Sequence, residues 1–543
     1  MAVINIEDFF DFDYHGPVNR IAFTEEDAKY KLMCMKRMQD LGMKITIDDA
    51  GNICGTLKGN KSQGTLLIGS HTDSVLDGGQ FDGPVGVYMA LKSAEDFKNN
   101  SSGNQYGDLK TIIYACEESK RFKTACIGSY YLSGKFPMSK LETLTDSDGI
   151  SYVDAVSEFK GYIFSHLAEY GIDLNNIELV DKVVSQEEVK EAIESHIEQA
   201  ETLFDSNIAI GGVDSIVKPL RGSITVSGKD AVVTSAQIVQ DFNKLALEAP
   251  EQNLAEVYRI SVPEFNSNNE DSTVTVNSEN GNLLKITTTG EVNHSGATPM
   301  KDRKDAVLGL SSLILRLTDL QKQNPNFHFN FLNTSTPSWN PNQIQDNAEL
   351  VLQIEPSALF GLIKEECEAV SKSTSVGFSI EEVSQAVIPA NSEQEMYVDV
   401  RQQYPATGPQ TRDRVYSIFE TMQHSKNYGS SSVSFKITTM DTPVQTSPEL
   451  LENIKSICYE KKIPCQIMHS WAGHDIACVL DSKESTGKKV MFFIPSKGGS
   501  HNPNEVTTRE AIETGTEVFS TLVSQRMHKF EKAYKKEMEA TAR

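Results

Sequence analysis

The chain has 543 residues, more than one core usually organises, so two or more domains are expected. Lys and Arg number 51 against 75 Asp and Glu, and the resulting net charge of −24 argues against nucleic-acid and anionic-membrane partners. No stretch is long and apolar enough to span a bilayer, and the acidic N-terminal segment does not read as a signal peptide. The cysteines (Cys34, Cys54, Cys116, Cys126, Cys367, Cys458, Cys465 and Cys478) lack paired spacing. They read as reduced core residues of a cytoplasmic protein rather than a disulfide frame or zinc knuckle.

Residues 25–41 read as a charged helix with Leu32, Met35 and Met38 on one face. Ile45-Thr46-Ile47 reads as a strand entering the turn Asp48-Asp49-Ala50-Gly51-Asn52. The apolar run Thr65-Leu66-Leu67-Ile68 is a buried strand, and Gly69-Ser70-His71-Thr72-Asp73 follows at its C-terminal end, where open α/β sheets place their ligands. A glycine-rich return, Gly78-Gly79-Gln80-Phe81-Asp82-Gly83, lets backbone wrap closely around an ion. A helix over 85–97 and a buried strand over 109–115, ending at Cys116-Glu117-Glu118, continue an alternation that indicates a mostly parallel sheet. Residues 136–185 read as helical and polar, and 187–195 as a further helical stretch ending at His196-Ile197-Glu198-Gln199.

Composition changes near Gly211-Gly212, and 213–440 reads as an inserted α+β lid domain between catalytic-domain segments 1–212 and 441–543. Strands are expected at 222–228, 284–290, 348–355, 375–384, 395–401 and 431–439, with helices at 235–247, 302–320, 358–372 and 411–423. The simplest account is two βαββαβ units, the copy at about 283–385 nested inside the one formed by 219–282 and 386–440. The first pattern resumes with strands at 463–468 and 490–495, the segment Ser500-His501-Asn502-Pro503-Asn504-Glu505, and a long amphipathic helix from Thr508. The fold class is therefore α/β, a mixed, mostly parallel sheet flanked by helices, with an inserted and duplicated lid.

His71, Asp82, Glu118, His196 and His501 each lie at or just past the end of an expected element and form the candidate metal set. Their number implies two divalent ions, each taking one His and one terminal ligand with Asp82 bridging. Nitrogen and oxygen donors without thiolate suit Zn, Mn, Co or Ni. Such a pair lowers the pKa of a water and polarises a carbonyl. Glu118 is assigned to metal and its neighbour Glu117 to general base, which requires the segment to turn there. Asp73 is assigned to orienting the His71 imidazole.

The segments 69–83, Glu117-Glu118-Ser119-Lys120-Arg121-Phe122, His196-Ile197-Glu198-Gln199, Asn293-His294-Ser295-Gly296-Ala297-Thr298-Pro299-Met300, Ala472-Gly473-His474-Asp475 and Ser500-His501-Asn502-Pro503 occur in a telling order. Together they resemble the group of N-carbamoyl-L-amino-acid hydrolases, allantoate amidohydrolases and β-ureidopropionases, within the di-metal aminoacylase and carboxypeptidase superfamily. The resemblance covers about 60–540 and implies the same five ligands, Glu117 as general base, and His294 as a lid histidine stabilising the oxyanion. It also implies substrate contacts from Asn342, from Gln199 and His474 in their motifs, and from a lid arginine. The expected arginine position holds Glu355, while Arg401 stands in the equivalent place of the other lid copy. Ala200 replaces a glycine, and no Pro-Gly follows Asn342.

The first reading is thus a di-metal amidohydrolase cleaving a linear C–N bond of a small ureido or amide substrate. A dipeptidase or aminoacylase of the same superfamily is the second, and a metal-binding scaffold without activity the third. Because certain superfamily dipeptidases with two lid subdomains in one chain work as monomers, the doubled lid implies a monomer with His294 supplied in cis. A homodimer is the alternative.

Overall fold

The computed structural model describes residues 4–59, 64–100, 107–218, 220–252, 258–267, 273–278, 282–337, 343–389, 393–402, 431–440, 443–481 and 485–541. The expected helix at 411–423 and the expected substrate contact Asn342 lie outside these. The chain divides into two compact units, residues 1–216 with 444–543, and residues 217–443.

The first unit is built on a ten-stranded mixed sheet. Its centre is a parallel set in the order Lys488–Ile494, Val189–Ile197, Thr65–His71 and Asp108–Tyr114. Antiparallel neighbours flank it: Ile210–Ile216 beside 488–494, and Ile53–Leu57 beside 108–114. Alternate side chains enter opposite cores, as the two-residue period of a strand requires. Leu66, Ile68, Ile113 and Phe492 face one, while Leu67, Ile112, Tyr114, Met491 and Phe493 face the other. Because the four central strands are parallel, their C-terminal ends share one rim, and the segments that follow Tyr114, His71, Ile197 and Ile494 emerge there together.

The helix Pro84–Asn100 starts directly after Asp82-Gly83 and packs along the same face as the long C-terminal helix Arg509–Thr541. The strand Ile210–Ile216 carries the sheet beyond the composition change at Gly211-Gly212.

Residues 189–197 form a strand, not the helix their Glu- and Lys-rich sequence suggests. The reason is that the charges are buried and partnered. Glu191 meets Arg526, and Glu194 accepts the Ser70 hydroxyl at 2.8 Å and the Ile476 N–H at 2.8 Å. The expected helical stretch 136–185 is one substantial helix, Tyr152–His166, with short turns and the edge strand Ile177–Leu179.

The second unit contains two antiparallel four-stranded sheets. In one the order is His328–Ser335, Asn347–Glu355, Asn282–Thr289, Gly377–Val383; in the other it is Tyr258–Ser267, Glu393–Gln402, Leu220–Ser227, Ser432–Met440. The helices Ala231–Gln252, Ala306–Gln323 and Leu359–Thr374 pack on them through one apolar cluster that includes Phe242, Leu310, Leu350 and Met396.

Candidate metal centre

The rim gathers all five expected ligands. His71, Asp82 and His196 form one group, and Asp82, Glu118 and His501 another, with ligand atoms in each within 4.8 Å of one another. Asp82 is common to both. Its Oδ1 lies 3.1 Å from His196 Nε2 and 3.6 Å from His71 Nε2, while its Oδ2 lies 3.9 Å from His501 Nε2. His501 Nε2 is in turn 3.2 Å from Glu118 Oε1.

Backbone carbonyls set the imidazole tautomers. His71 Nδ1 donates to the Asp73 carbonyl at 3.0 Å, and His196 Nδ1 donates to the Ile197 carbonyl at 2.9 Å. A carbonyl can only accept, so each ring carries a proton on Nδ1 and turns its Nε2 toward the other donors. The two Nε2 atoms are 3.5 Å apart. Two ring nitrogens and a carboxylate oxygen converge in a buried space, and once the Nε2 atoms are deprotonated this donor set fits a borderline divalent ion.

Cys116 adopts φ +52°, and this left-handed step supplies the turn that the Glu117-Glu118 assignment needs. Asp73 holds the result: its two carboxylate oxygens accept the N–H groups of Glu117 at 3.2 Å and Glu118 at 3.0 Å. Its carboxylate is 3.8 Å from His71 Nδ1, and it is the Asp73 carbonyl that hydrogen-bonds and orients the ring. Thr72, between them, donates its hydroxyl to Asp27 at 3.1 Å, and its carbonyl receives the Arg20 Nε. Asp27 is itself paired with the fully buried Lys31 at 2.7 Å.

Glu117 Oε2 faces His71 Nε2 at 3.9 Å. Burial pushes the Glu117 carboxyl well above the usual carboxylate range against the pull of His71, and the negative charges of Glu118, Asp73 and Asp82 push the same way. Burial also raises Asp73, to about 6, partly opposed by His71 and Lys31. Asp82 is the contrast: burial raises it, but the surrounding histidines prevail and hold it well below its ordinary value.

Of the expected substrate contacts, Gln199 donates to Asp82 Oδ2 at 2.7 Å, and the His474 ring lies against His196 with centroids 4.6 Å apart. Arg401 is 1% exposed in the second unit, where its Nε donates to Asp399 Oδ1 at 2.9 Å. Its fork therefore holds a buried carboxylate of the protein. Glu355 is exposed at the end of its strand, opposite His328. His294, in the second unit, accepts the N–H groups of Gly296 at 3.1 Å and Ala297 at 2.8 Å on Nδ1, which leaves its proton on Nε2.

Three contributors escaped the sequence reading. Glu505 accepts the Phe81 and Asp82 N–H groups, each at 3.0 Å; Ser500 donates to Asp82; Glu194 anchors Ser70 beside His71. Glu505 was signalled only by its place in the His501 segment.

This arrangement is that of a metallopeptidase-like hydrolase. More particularly, the chain belongs to peptidase family M20/M25/M40, whose profile matches residues 67–525. It is 25% identical over 512 residues to an uncharacterized hydrolase of Haemophilus influenzae, covering 93% of this chain and 92% of the relative. It is 23% identical over 518 residues to the allantoate amidohydrolase of Escherichia coli, covering 95% and 94%. An N-carbamoyl-L-amino-acid amidohydrolase of Paenarthrobacter aurescens is 29% identical over 272 residues, which cover 47% of this chain and 63% of that protein. Among the described residues, no helix is long and apolar enough to cross a membrane.

Proposed function

We propose that the chain is a di-metal amidohydrolase that cleaves a linear C–N bond of a small ureido, N-carbamoyl or amide substrate, with Glu117 as general base. The observation that carries this reading is Asp82, whose two oxygens face two separate donor groups while Glu117 stands beside one of them. The names of the Escherichia coli and Paenarthrobacter relatives support the ureido class.

His71, Asp82 and His196 would hold one ion, and Asp82, Glu118 and His501 the other, drawn from Zn, Mn, Co or Ni. Bound there, the pair would supply charge that acidifies a water and polarises the scissile carbonyl. Glu117 takes the proton of the attacking water and returns it to the leaving nitrogen. Its place serves this, because Oε2 stands beside the His71 donor group where the water would be held. His294 is assigned as donor to the developing oxyanion, a task that needs the Nε2–H its backbone contacts select. Gln199 and His474 are assigned to the substrate side of the ligands, and Asn342 remains the lid candidate for a substrate carboxylate. Arg401 is assigned to Asp399 instead.

We further propose that the lid is a duplication and that the protein is a monomer, with the homodimer as the alternative outcome. Numbering each sheet's strands in chain order, both read second, third, first, fourth, which supports a repeated unit. Sedimentation velocity tests the oligomeric state.

The test of the activity loads the protein with Mn, Zn, Co or Ni and assays ureido compounds and dipeptides for ammonia and amine release. Ureido turnover is expected. Glu117→Gln is expected to lose about 10²–10⁴-fold in kcat while binding metal as the parent does. Activity confined to dipeptides overturns the substrate class, and an active E117Q overturns the base.

A further inference from the structure

Glu117 has two carboxylate oxygens, and the structure treats them differently. Oε2 faces His71, whereas Oε1 receives the thiol of Cys126 at 3.2 Å. Cys126 is 4% exposed and rigidly placed. Its backbone N–H donates to the Glu117 carbonyl at 2.8 Å, and the next two residues continue the pairing, Ile127 to Cys116 at 3.1 Å and Gly128 to Ala115 at 2.9 Å. Asn52 locks the far end, accepting the Ala115 N–H at 2.9 Å and donating to the Gly128 carbonyl at 3.1 Å. Cys126 itself sits at φ +55°, the conformation that turns its side chain back over Glu117 from the start of the helix Ile127–Leu132.

We propose that Cys126 is a positioning residue for the general base: its S–H fixes Glu117 Oε1 and thereby leaves Oε2 as the oxygen presented to the reacting water. The inference rests on the assignment of Glu117 as base. A carboxylate on two rotatable methylenes, held on one oxygen only, keeps one rotamer and one working oxygen, and misplacement of a reacting group by an ångström costs rate steeply. The thiol is suited to this duty. The neighbouring Cys478, then burial, then the nearby charges of Glu117 and Asp475 hold the Cys126 thiol well above its usual range, so it remains protonated. A thiol is also a weak donor, so it orients the carboxylate without taking much of its basicity.

The experiment uses the full-length, metal-loaded protein with its best ureido substrate. Cys126→Ala is expected to lower kcat about tenfold with KM within about twofold of the parent, and Cys126→Ser, which restores a donor, to recover most of the loss. Bound metal is expected to be unchanged in both. The S–H stretch of Cys126, isolated in the infrared as the difference between the parent and C126S, is expected to shift to higher frequency when Glu117→Ala removes the acceptor; this readout needs neither metal nor turnover. A parent-like kcat in C126A, equal losses in C126A and C126S, or an S–H band indifferent to E117A would each overturn the inference. If E117A kept its turnover, the base assignment would fall with it; an indifferent C126A beside a dead E117A removes only the role of Cys126.

Discussion

Glu505 sets the direction of Asp82. One Glu505 oxygen accepts the N–H groups of Phe81 and Asp82, and the other accepts the Ser500 hydroxyl, which also reaches Asp82. The carboxylate common to both donor groups is thus held through its own backbone by an acid more than four hundred residues away in the chain. Supporting partners of this kind typically contribute 10–100-fold to metal affinity, and Glu505→Ala is expected to weaken binding of the first-row ions by about that factor. Isothermal titration of the metal-free protein measures it; unchanged affinity would mean that the 78–83 loop holds its shape unaided.

The same loop makes a second prediction. Gly83 adopts φ +83°, and a Cβ there would lie 2.5 Å from His71 Cε1. Both facts demand glycine, the first for the backbone and the second for the ring. Gly83→Ala is expected to cost about 1–3 kcal/mol of stability and to displace His71. A lowered unfolding midpoint together with weakened metal binding checks it, and a midpoint loss with intact binding would show that the strain is absorbed away from His71.

Part of the candidate metal centre was legible because His71 and Glu118 stand at the ends of elements whose pattern is plain. Thr65-Leu66-Leu67-Ile68 and Leu109 to Ala115 are apolar runs, and the donors stand at their ends. What supports the donors was not legible. Nothing local marks Glu505 as the partner of Asp82, or shows that the Asp73 carboxylate spans two N–H groups of 117–118 rather than reaching the His71 ring. Those contacts exist only once distant rim segments meet. In the second unit, Arg401 looked available for a substrate carboxylate, and burial beside Asp399 is a fact of the sheet, not of the sequence. The strand 189–197 was misread for a related reason. Its Glu and Lys content favours a helix, and tertiary partners for Glu191 and Glu194 override that preference.

Asp399 makes a pH prediction for the second unit. Burial raises its carboxyl, but the charges of Arg401 and Arg221 and their hydrogen bonds, both at 2.9 Å, prevail and hold it below the ordinary value of 3.8. A group whose folded pKa is depressed contributes stability above its unfolded pKa and loses it as pH falls through the folded value. The contribution is therefore full above pH 3.8 and fades on further acidification. Asp399→Asn takes the counter-charge from the buried Arg401 and the partly buried Arg221 and is expected to cost about 3–5 kcal/mol at neutral pH. Denaturant unfolding at stepped pH checks it: the gap between parent and variant should narrow below the ordinary carboxyl value, and a gap that stays constant in acid would refute the assignment.

The misread strand yields the last prediction. Glu191 is buried in the central sheet, and Arg526 of the C-terminal helix clasps it with both branches of the guanidinium, Nε to Oε2 at 2.7 Å and Nη2 to Oε1 at 2.5 Å. The side chains are 5% and 6% exposed, so neither charge has much water to fall back on. Arg526 also reaches Glu449 at 2.9 Å, but Glu449 is partly solvated and tolerates the loss of a partner better. Removing Arg526 leaves the buried Glu191 to the more distant and exposed Lys529, at 3.7 Å, and Arg526→Ala is expected to destabilise the protein by about 3–5 kcal/mol. Replacing both, as Glu191→Met with Arg526→Met, removes the stranded charge and is expected to cost much less than the single change. A double-mutant cycle by denaturant unfolding separates the two effects. If the double variant were as unstable as R526A, apolar packing of the Arg526 stem, and not the ion pair, would be what fastens the last helix to the sheet.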